Sequence, residues 1–127
     1  YKKFSDISFT GKITGNPQGE FKNGKREDAW SFFNKNGQLN TKGNYKNGKE
    51  EGSWVSYHDN GKLYSKGNYK NGKKEGSWVR YWDNVQLMAK GDYKNGKKEG
   101  SWVNYNQDGT VNKNYAGTFK NGKRIND

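Results

Sequence analysis

Two kinds of side chain in this sequence could do chemistry, and both recur at a fixed step. Cations flank a set of Asn-Gly pairs: Lys46 and Lys49 about Asn47-Gly48, Lys70, Lys73 and Lys74 about Asn71-Gly72, and Lys94, Lys97 and Lys98 about Asn95-Gly96. Lys22, Lys25 and Arg26 stand about Asn23-Gly24 in the same way, and Lys120, Lys123 and Arg124 about Asn121-Gly122. A row of this kind could bind phospholipid headgroups, an anionic wall polymer, nucleic acid or an acidic protein. The plainer reading is a solvated edge that keeps a thin structure soluble and discourages stacking. Aromatic rings form the second set: Trp30, Trp54, Trp78 and Trp102, with Phe33, Tyr57, Tyr81 and Tyr105 three positions further on. Exposed, they could stack on sugars or bases or anchor a partner protein; buried, they are simply the core. Trp82 departs from the pattern, because His58 and Asn106 hold its place in the neighbouring copies. Beside Asn84-Val85 and Met88, it marks either a specific contact or drift.

Catalysis finds little support. His58 is the single histidine, cysteine is absent, and no nucleophile motif or metal-ligand spacing is visible. Glu50, Glu51, Glu75 and Glu99 lie in copied contexts, which reads as surface charge offsetting the lysines. The glycine-rich turns are not followed by helices, so they are not phosphate loops. No enzyme activity, cofactor or metal is expected.

The elements that position these residues follow from the step itself. Trp30, Trp54, Trp78 and Trp102 are about 24 residues apart, a period that marks a repeat architecture. Asn-Gly between alternating residues is the strongest short hairpin signal, since both central positions of a type I′ turn need positive φ. Asn36-Gly37, Asn60-Gly61, Asn84-Val85 and Asp108-Gly109 give each copy a second, opposite turn. Each repeat then supplies two antiparallel strands of about nine residues. The expected fold is all-β: an elongated, single antiparallel meander of tandem β-hairpins in a curved, twisted sheet.

A two-residue turn at Asn71-Gly72 pairs Lys70 with Lys73 and Gly67 with Gly76. One at Asn60-Gly61 pairs Trp54 with Gly67 and Tyr57 with Tyr64, which lays Trp54 over a glycine and makes a cross-strand tyrosine pair. Val85 resists positive φ, so its turn should be wider or of another type. The longer interval from Gly109 to Gly117 predicts a bulge or loop near Asn112 to Asn114. The expected organisation is a capping half-repeat over 1–18, where Ile7, Phe9, Lys12 and Ile13 alternate like strand residues. Repeats follow over 19–42, 43–66, 67–90 and 91–116, with a partial one over 117–127.

Composition sets outer limits. The 127 residues make one domain; net charge is +11 and only 28% are hydrophobic, with a mean hydropathy of −1.46. Such values suggest disorder, but 16% aromatics placed periodically argue for a thin structure held by regular ring contacts. No apolar run reaches the ~20 residues of a membrane span. Tyr1 in place of Met implies trimming, which leaves room for a removed export signal and tilts the expectation toward an exported or surface location.

The pattern Gly-x-Tyr-x-Asn-Gly-Lys-x-x-Gly-x-Trp-x-x-Tyr-x-x-Asn-Gly-x-Leu stands complete from Gly43 to Leu63 and resembles the MORN repeat. Gly52-Ser53-Trp54, Gly76-Ser77-Trp78 and Gly100-Ser101-Trp102 replace the usual Gly-x-Gly, which makes the chain similar to the bacterial MORN variant that includes YwqK-like antitoxins. The resemblance implies a non-enzymatic interaction module that binds a protein partner or an anionic phospholipid or wall polymer. Its alternatives are an antitoxin or immunity protein, and a glycan- or wall-binding repeat. A charge of +11 steers the chain away from basic, nucleic-acid-attacking toxins. Nucleic acid is disfavoured as a partner because no recognised motif lies between the basic turns. Open sheet edges would allow a monomer or weak edge-to-edge pairing.

Overall fold

The computed structural model describes residues 10–125, and over them the chain is a single open β-meander with no helix. Eleven antiparallel strands follow one another in chain order: β1 (Gly11–Ile13), β2 (Gln18–Lys22), β3 (Lys25–Phe33), β4 (Leu39–Lys46), β5 (Lys49–Tyr57), β6 (Leu63–Lys70), β7 (Lys73–Tyr81), β8 (Leu87–Lys94), β9 (Lys97–Asn104), β10 (Gly117–Lys120) and β11 (Lys123–Ile125). Ile7 and Phe9 lie outside the described residues; Lys12 and Ile13 fall in β1, which pairs with β2.

Five hairpin tips at one edge are the expected Asn-Gly turns. Both residues carry positive φ, for example +51° at Asn71 and +82° at Gly72, as a type I′ turn requires. The opposite turns differ from expectation. At 58–62, the His58 N–H donates to the Lys62 carbonyl at 2.8 Å and the Gly61 N–H to the His58 carbonyl at 2.9 Å. Of the Asn60-Gly61 pair only Gly61 has positive φ, at +83°. This is a three-residue loop: a type I turn closed by one left-handed residue. It displaces the expected Tyr57–Tyr64 pair. Tyr57 stands opposite Leu63, the register shifts, and Trp54 meets Gly67 as expected. Tyr64 packs instead edge-on to His58, with ring centroids 4.9 Å apart.

A second shift corrects the Gly67–Gly76 pair. Asn68 pairs with Glu75 and Lys66 with Val79, so three residues of β7 stand opposite Gly67 alone. Gly76 takes φ +72° there, and Gly52, Gly100 and Asp28 do likewise at the matching places. The bulge re-aims the following tryptophan. The Trp54 ring therefore covers Gly43 on the preceding strand, and not Gly67, its directly paired neighbour. Trp78 covers Gly67 and Trp102 covers Gly91 in the same way.

Val85 supplies the third correction. Its turn keeps the common form, with Trp82 N–H to Gln86 carbonyl at 2.8 Å and Val85 N–H to Trp82 carbonyl at 3.0 Å. Val85 is held at φ +64°, where its neighbours use glycine. The longer interval before β10 does form a turn, at 113–115, with the Ala116 N–H bonded to the Asn112 carbonyl.

Two measurements follow from this geometry. A β-branched residue in the left-handed region costs roughly 1–2 kcal/mol, so Val85→Gly should raise the urea midpoint at an unchanged slope by about 1 kcal/mol; a lower midpoint would show that the turn holds Val85 without strain. A methyl group on Gly67 would run into the Trp78 ring. Gly67→Ala should cost roughly 1–3 kcal/mol or more and shift the Trp78 indole proton resonance, whereas Gly37→Ala meets no neighbouring atom and should pay only for its φ of +85°.

Candidate functional site

The tryptophans build the core of this one-layer sheet. Trp30, Trp54, Trp78 and Trp102 are only 1%, 7%, 6% and 3% exposed. Each indole Nε1–H donates to a backbone carbonyl ten residues earlier: Glu20, Asn44, Asn68 and Asp92, at 2.9–3.1 Å. The rings between them are Tyr45, Tyr69 and Tyr93, which meet the tryptophans edge-on at centroid distances of 5.0–6.2 Å. Such pairs contribute about 0.5–1.5 kcal/mol beyond area burial. Sequence reasoning paired the tryptophans with Phe33, Tyr57, Tyr81 and Tyr105 instead. The signal for the right series was present, because Tyr45, Tyr69 and Tyr93 keep the same step, but the bulge at Gly52 and its equivalents hides which face they share. Tyr57 and Tyr81 are half-buried at the far ends of β5 and β7, and Tyr105, also half-buried, follows β9 and bridges to Val111.

Trp82 does an internal job. Its Nε1–H donates to the Tyr105 carbonyl at 3.0 Å, and His58 Nε2 bonds the Tyr81 carbonyl at 2.7 Å from the matching position. The two unlike residues tie one turn to the next through the same kind of bond.

The lysines fall into two groups. Lys46 pairs directly with Lys49, Lys70 with Lys73, and Lys94 with Lys97, and all six are exposed at the tips. Lys22 with Lys25 and Lys120 with Lys123 extend the row. Lys74 and Lys98 leave it. Each lies half-buried over a tryptophan, 4.8 Å from the ring centroids of Trp78 and Trp102, as a cation over the negative face of the ring. Arg26 does the same over Trp30 at 4.7 Å and bonds the Tyr45 hydroxyl at 3.2 Å. Burial, and then the positive charge of Arg80, hold the Lys74 ammonium below the ordinary lysine range; burial, then Arg80, Arg124 and Lys74, do so for Lys98. Burial, then Glu50, pushes the Tyr69 hydroxyl up.

The glutamates hold the tips in line. Glu27, Glu51, Glu75 and Glu99 each accept the Asn N–H of the next tip, at 3.0–3.2 Å. The adjacent glycine N–H donates to a carbonyl of the preceding hairpin, as Gly96 does to Lys74 at 2.9 Å. These amides point out of a type I′ turn and would otherwise face only water. Copied context suggested surface charge alone; the sequence held no sign of a bond reaching from one hairpin to the next. Among the described residues no cluster of His, Asp or Glu is placed to hold a metal ion, and no helix is long and apolar enough to cross a membrane.

The cap is testable. Glu75→Ala should lower stability by about 0.5–1.5 kcal/mol and speed hydrogen exchange at the Asn95 amide selectively. Uniform change across all tips would mean that the glutamate acts only through general charge.

Against known proteins, the MORN repeat variant family matches residues 29–47 and 50–71, two successive hairpin units of the sheet. No curated protein matches the chain. That family is in general a non-enzymatic repeat module, and the match supports reading the chain as a repeat-type binding module.

Proposed function

We propose that the chain is a non-enzymatic module whose row of hairpin tips engages an anionic surface, either phospholipid headgroups or a wall polymer. The proposed units are the capping segment 1–18 and the repeats 19–42, 43–66, 67–90, 91–116 and 117–127, with one tip in each repeat. One observation carries the reading: at every tip the last strand pair sets lysine directly opposite lysine. Like charges in that relation destabilise a sheet. A solubilising edge would work as well with alternating signs. Among the described residues the single ion pair is Lys12 with Glu20 at 3.7 Å, so none of the tip lysines forms one there. Successive tips are two strands apart, which sets lysine pairs at a pitch of roughly 9–10 Å. A regular cationic comb of this kind suits a surface or polymer with repeated negative charge better than a single small ligand.

The test is sedimentation of the full chain with vesicles containing phosphatidylglycerol, and with teichoic-acid-type polymer, at low and high salt. A Lys70/Lys73/Lys94/Lys97→Ala variant runs alongside. Each lysine near an anionic surface is worth about 1 kcal/mol, so the variant should bind roughly a thousandfold more weakly, and salt should reduce binding in parallel. Retention of one protein partner at high salt by both forms would overturn the reading. It would favour a protein-binding module, with the half-buried Tyr57, Tyr81, Tyr105 and Trp82 the next surface to substitute.

A further inference from the structure

The repeats are not equal on their aromatic face, and the differences collect at one place. Position 32 in the first repeat corresponds to 56, 80 and 104 in the others, where the residues are Phe32, Ser56, Arg80 and Asn104. Phe32 stacks between Trp30 and Trp54, with centroid distances of 6.4 and 6.5 Å, and fills the space between them. Across Trp78 and Trp102 no such ring is present. Arg80 stands there, flanked in register by Ser65 on one side and Ala89 on the other. A hollow of about 90 Å³ opens between the two tryptophans, lined by Ser65, Lys74, Arg80, Ala89 and Tyr93.

A second row changes in step. Arg26, Glu50, Lys74, Lys98 and Arg124 occupy one position through the repeats. Only in this repeat does the lysine of one row, Lys74, meet an arginine of the other, Arg80, in the lining of the same hollow. Lys74 Nζ lies 5.1 Å from the Tyr93 ring and lines the hollow, whereas Lys98 Nζ lies over Trp102 and Phe119 and is not part of the lining. Neither lysine nor Arg80 makes a side-chain hydrogen bond or an ion pair among the described residues. Ser65 is only 9% exposed and its hydroxyl makes no hydrogen bond among the described residues. Two part-buried cations, Lys74 and Arg80, and the Ser65 hydroxyl line this one recess, where an anion would meet charged and neutral donors together.

We infer that Lys74, Arg80 and Ser65 form a binding site for a phosphate monoester on the aromatic face between Trp78 and Trp102. The charge count selects the ligand class. The two cations of the lining, Lys74 and Arg80, are better matched by a monoester phosphate, at about −1.5 to −2 near pH 7, than by a carboxylate or a phosphodiester, each with one negative charge. Arginine offers the forked donor that phosphate accepts in pairs. The hollow has room for an ion-sized group with some water, and it is well below the ~300 Å³ of a site that encloses a whole small molecule. The phosphate therefore enters while the body of its carrier stays outside. The site stands apart from the tip lysines and does not rest on their proposed role.

A phosphate monoester is carried both by small soluble esters and by phosphatidic acid headgroups, so the experiment uses methyl phosphate and, separately, vesicles containing phosphatidic acid. The full chain is titrated with methyl phosphate at fixed ionic strength and followed by the Arg80 Nε–H and the Trp78 and Trp102 indole resonances. Arg80→Ser and Lys74→Glu are the test variants. They install the residues that repeat two already carries as Ser56 and Glu50, and the Trp78 indole resonance reports whether each still folds. Expected are saturable shifts confined to these groups, with affinity at least about tenfold weaker in both variants, as for losing hydrogen bonds to a charged group. The tip variant Lys70/Lys73/Lys94/Lys97→Ala should bind methyl phosphate as the parent does. Vesicle binding that also falls in Arg80→Ser identifies the headgroup as the carrier; vesicle binding unchanged by it identifies a soluble ester. The inference is overturned if methyl phosphate moves none of these resonances, if acetate moves them equally, or if Arg80→Ser binds as tightly as the parent. Loss of binding in the tip variant alone would overturn it too, and would leave the reading of the tips intact.

Discussion

The structure depends on one contact made over and over: an indole ring laid flat on a glycine of the neighbouring strand. A one-layer sheet has no second layer to bury its apolar face. Each tryptophan answers this by covering backbone directly, and its Nε1–H takes up a carbonyl of the same preceding strand, for example Trp78 on Asn68 at 2.9 Å. The ring can approach only because Gly19, Gly43, Gly67 and Gly91 have no side chain on that face. Glycine inside a strand ordinarily weakens it. Here the loss is offset by a buried indole and by tyrosines wedged edge-on between successive rings. The result is a core one ring thick that runs along the sheet, and it accounts for a folded chain with so few hydrophobic residues.

Much of this was legible in the sequence, and the reasons for the remainder are specific. The Asn-Gly tips and the Trp54–Gly67 pair follow from turn chemistry and counting. What counting cannot see is a change of alternation within a strand. Gly52, Gly76 and Gly100 adopt positive φ and insert bulges, so each ring swings over the strand before it in place of its paired neighbour. The same bulges brought Tyr45, Tyr69 and Tyr93 onto the aromatic face and left Tyr57 and Tyr81 at its end. The opposite turns misled for a related reason: Asn60-Gly61 spells a two-residue turn but closes as a three-residue one, because only Gly61 takes the left-handed conformation. Val85 shows that the turn is then imposed on whatever residue arrives. Asn84 Nδ2–H reaches the Gln107 carbonyl at 2.9 Å while its Oδ1 accepts from the Gln86 N–H, and this frame persists without the glycine.

Charge was the feature hardest to place from sequence. Lysines adjacent in the chain part company in space: Lys73 is exposed at a tip, and Lys74 lies over Trp78. Strand alternation separates them, and the ring quadrupole gives the second a partner that is not an anion. Glutamates read as diluting the positive charge accept hydrogen bonds from the next tip and so align the row of lysines they were thought to offset. The pattern copies a mechanical connection between hairpins.

In a repeat protein, residues that recur identically are explained by the architecture, and information about a particular ligand has to reside in the departures. Two departures here have structural work of their own: Trp82 makes the turn-to-turn bond that His58 makes one repeat earlier, and Phe32 fills the space between two tryptophans. A third, Val85, is a strained stand-in for glycine within an unchanged turn. Arg80 differs from them. It lines the hollow between the rings, makes no side-chain hydrogen bond or ion pair among the described residues, and raises the electrostatic cost of charging Lys74 and Lys98. A residue that adds repulsion to the fold and makes no bond in return is the residue whose purpose has to be sought outside the chain.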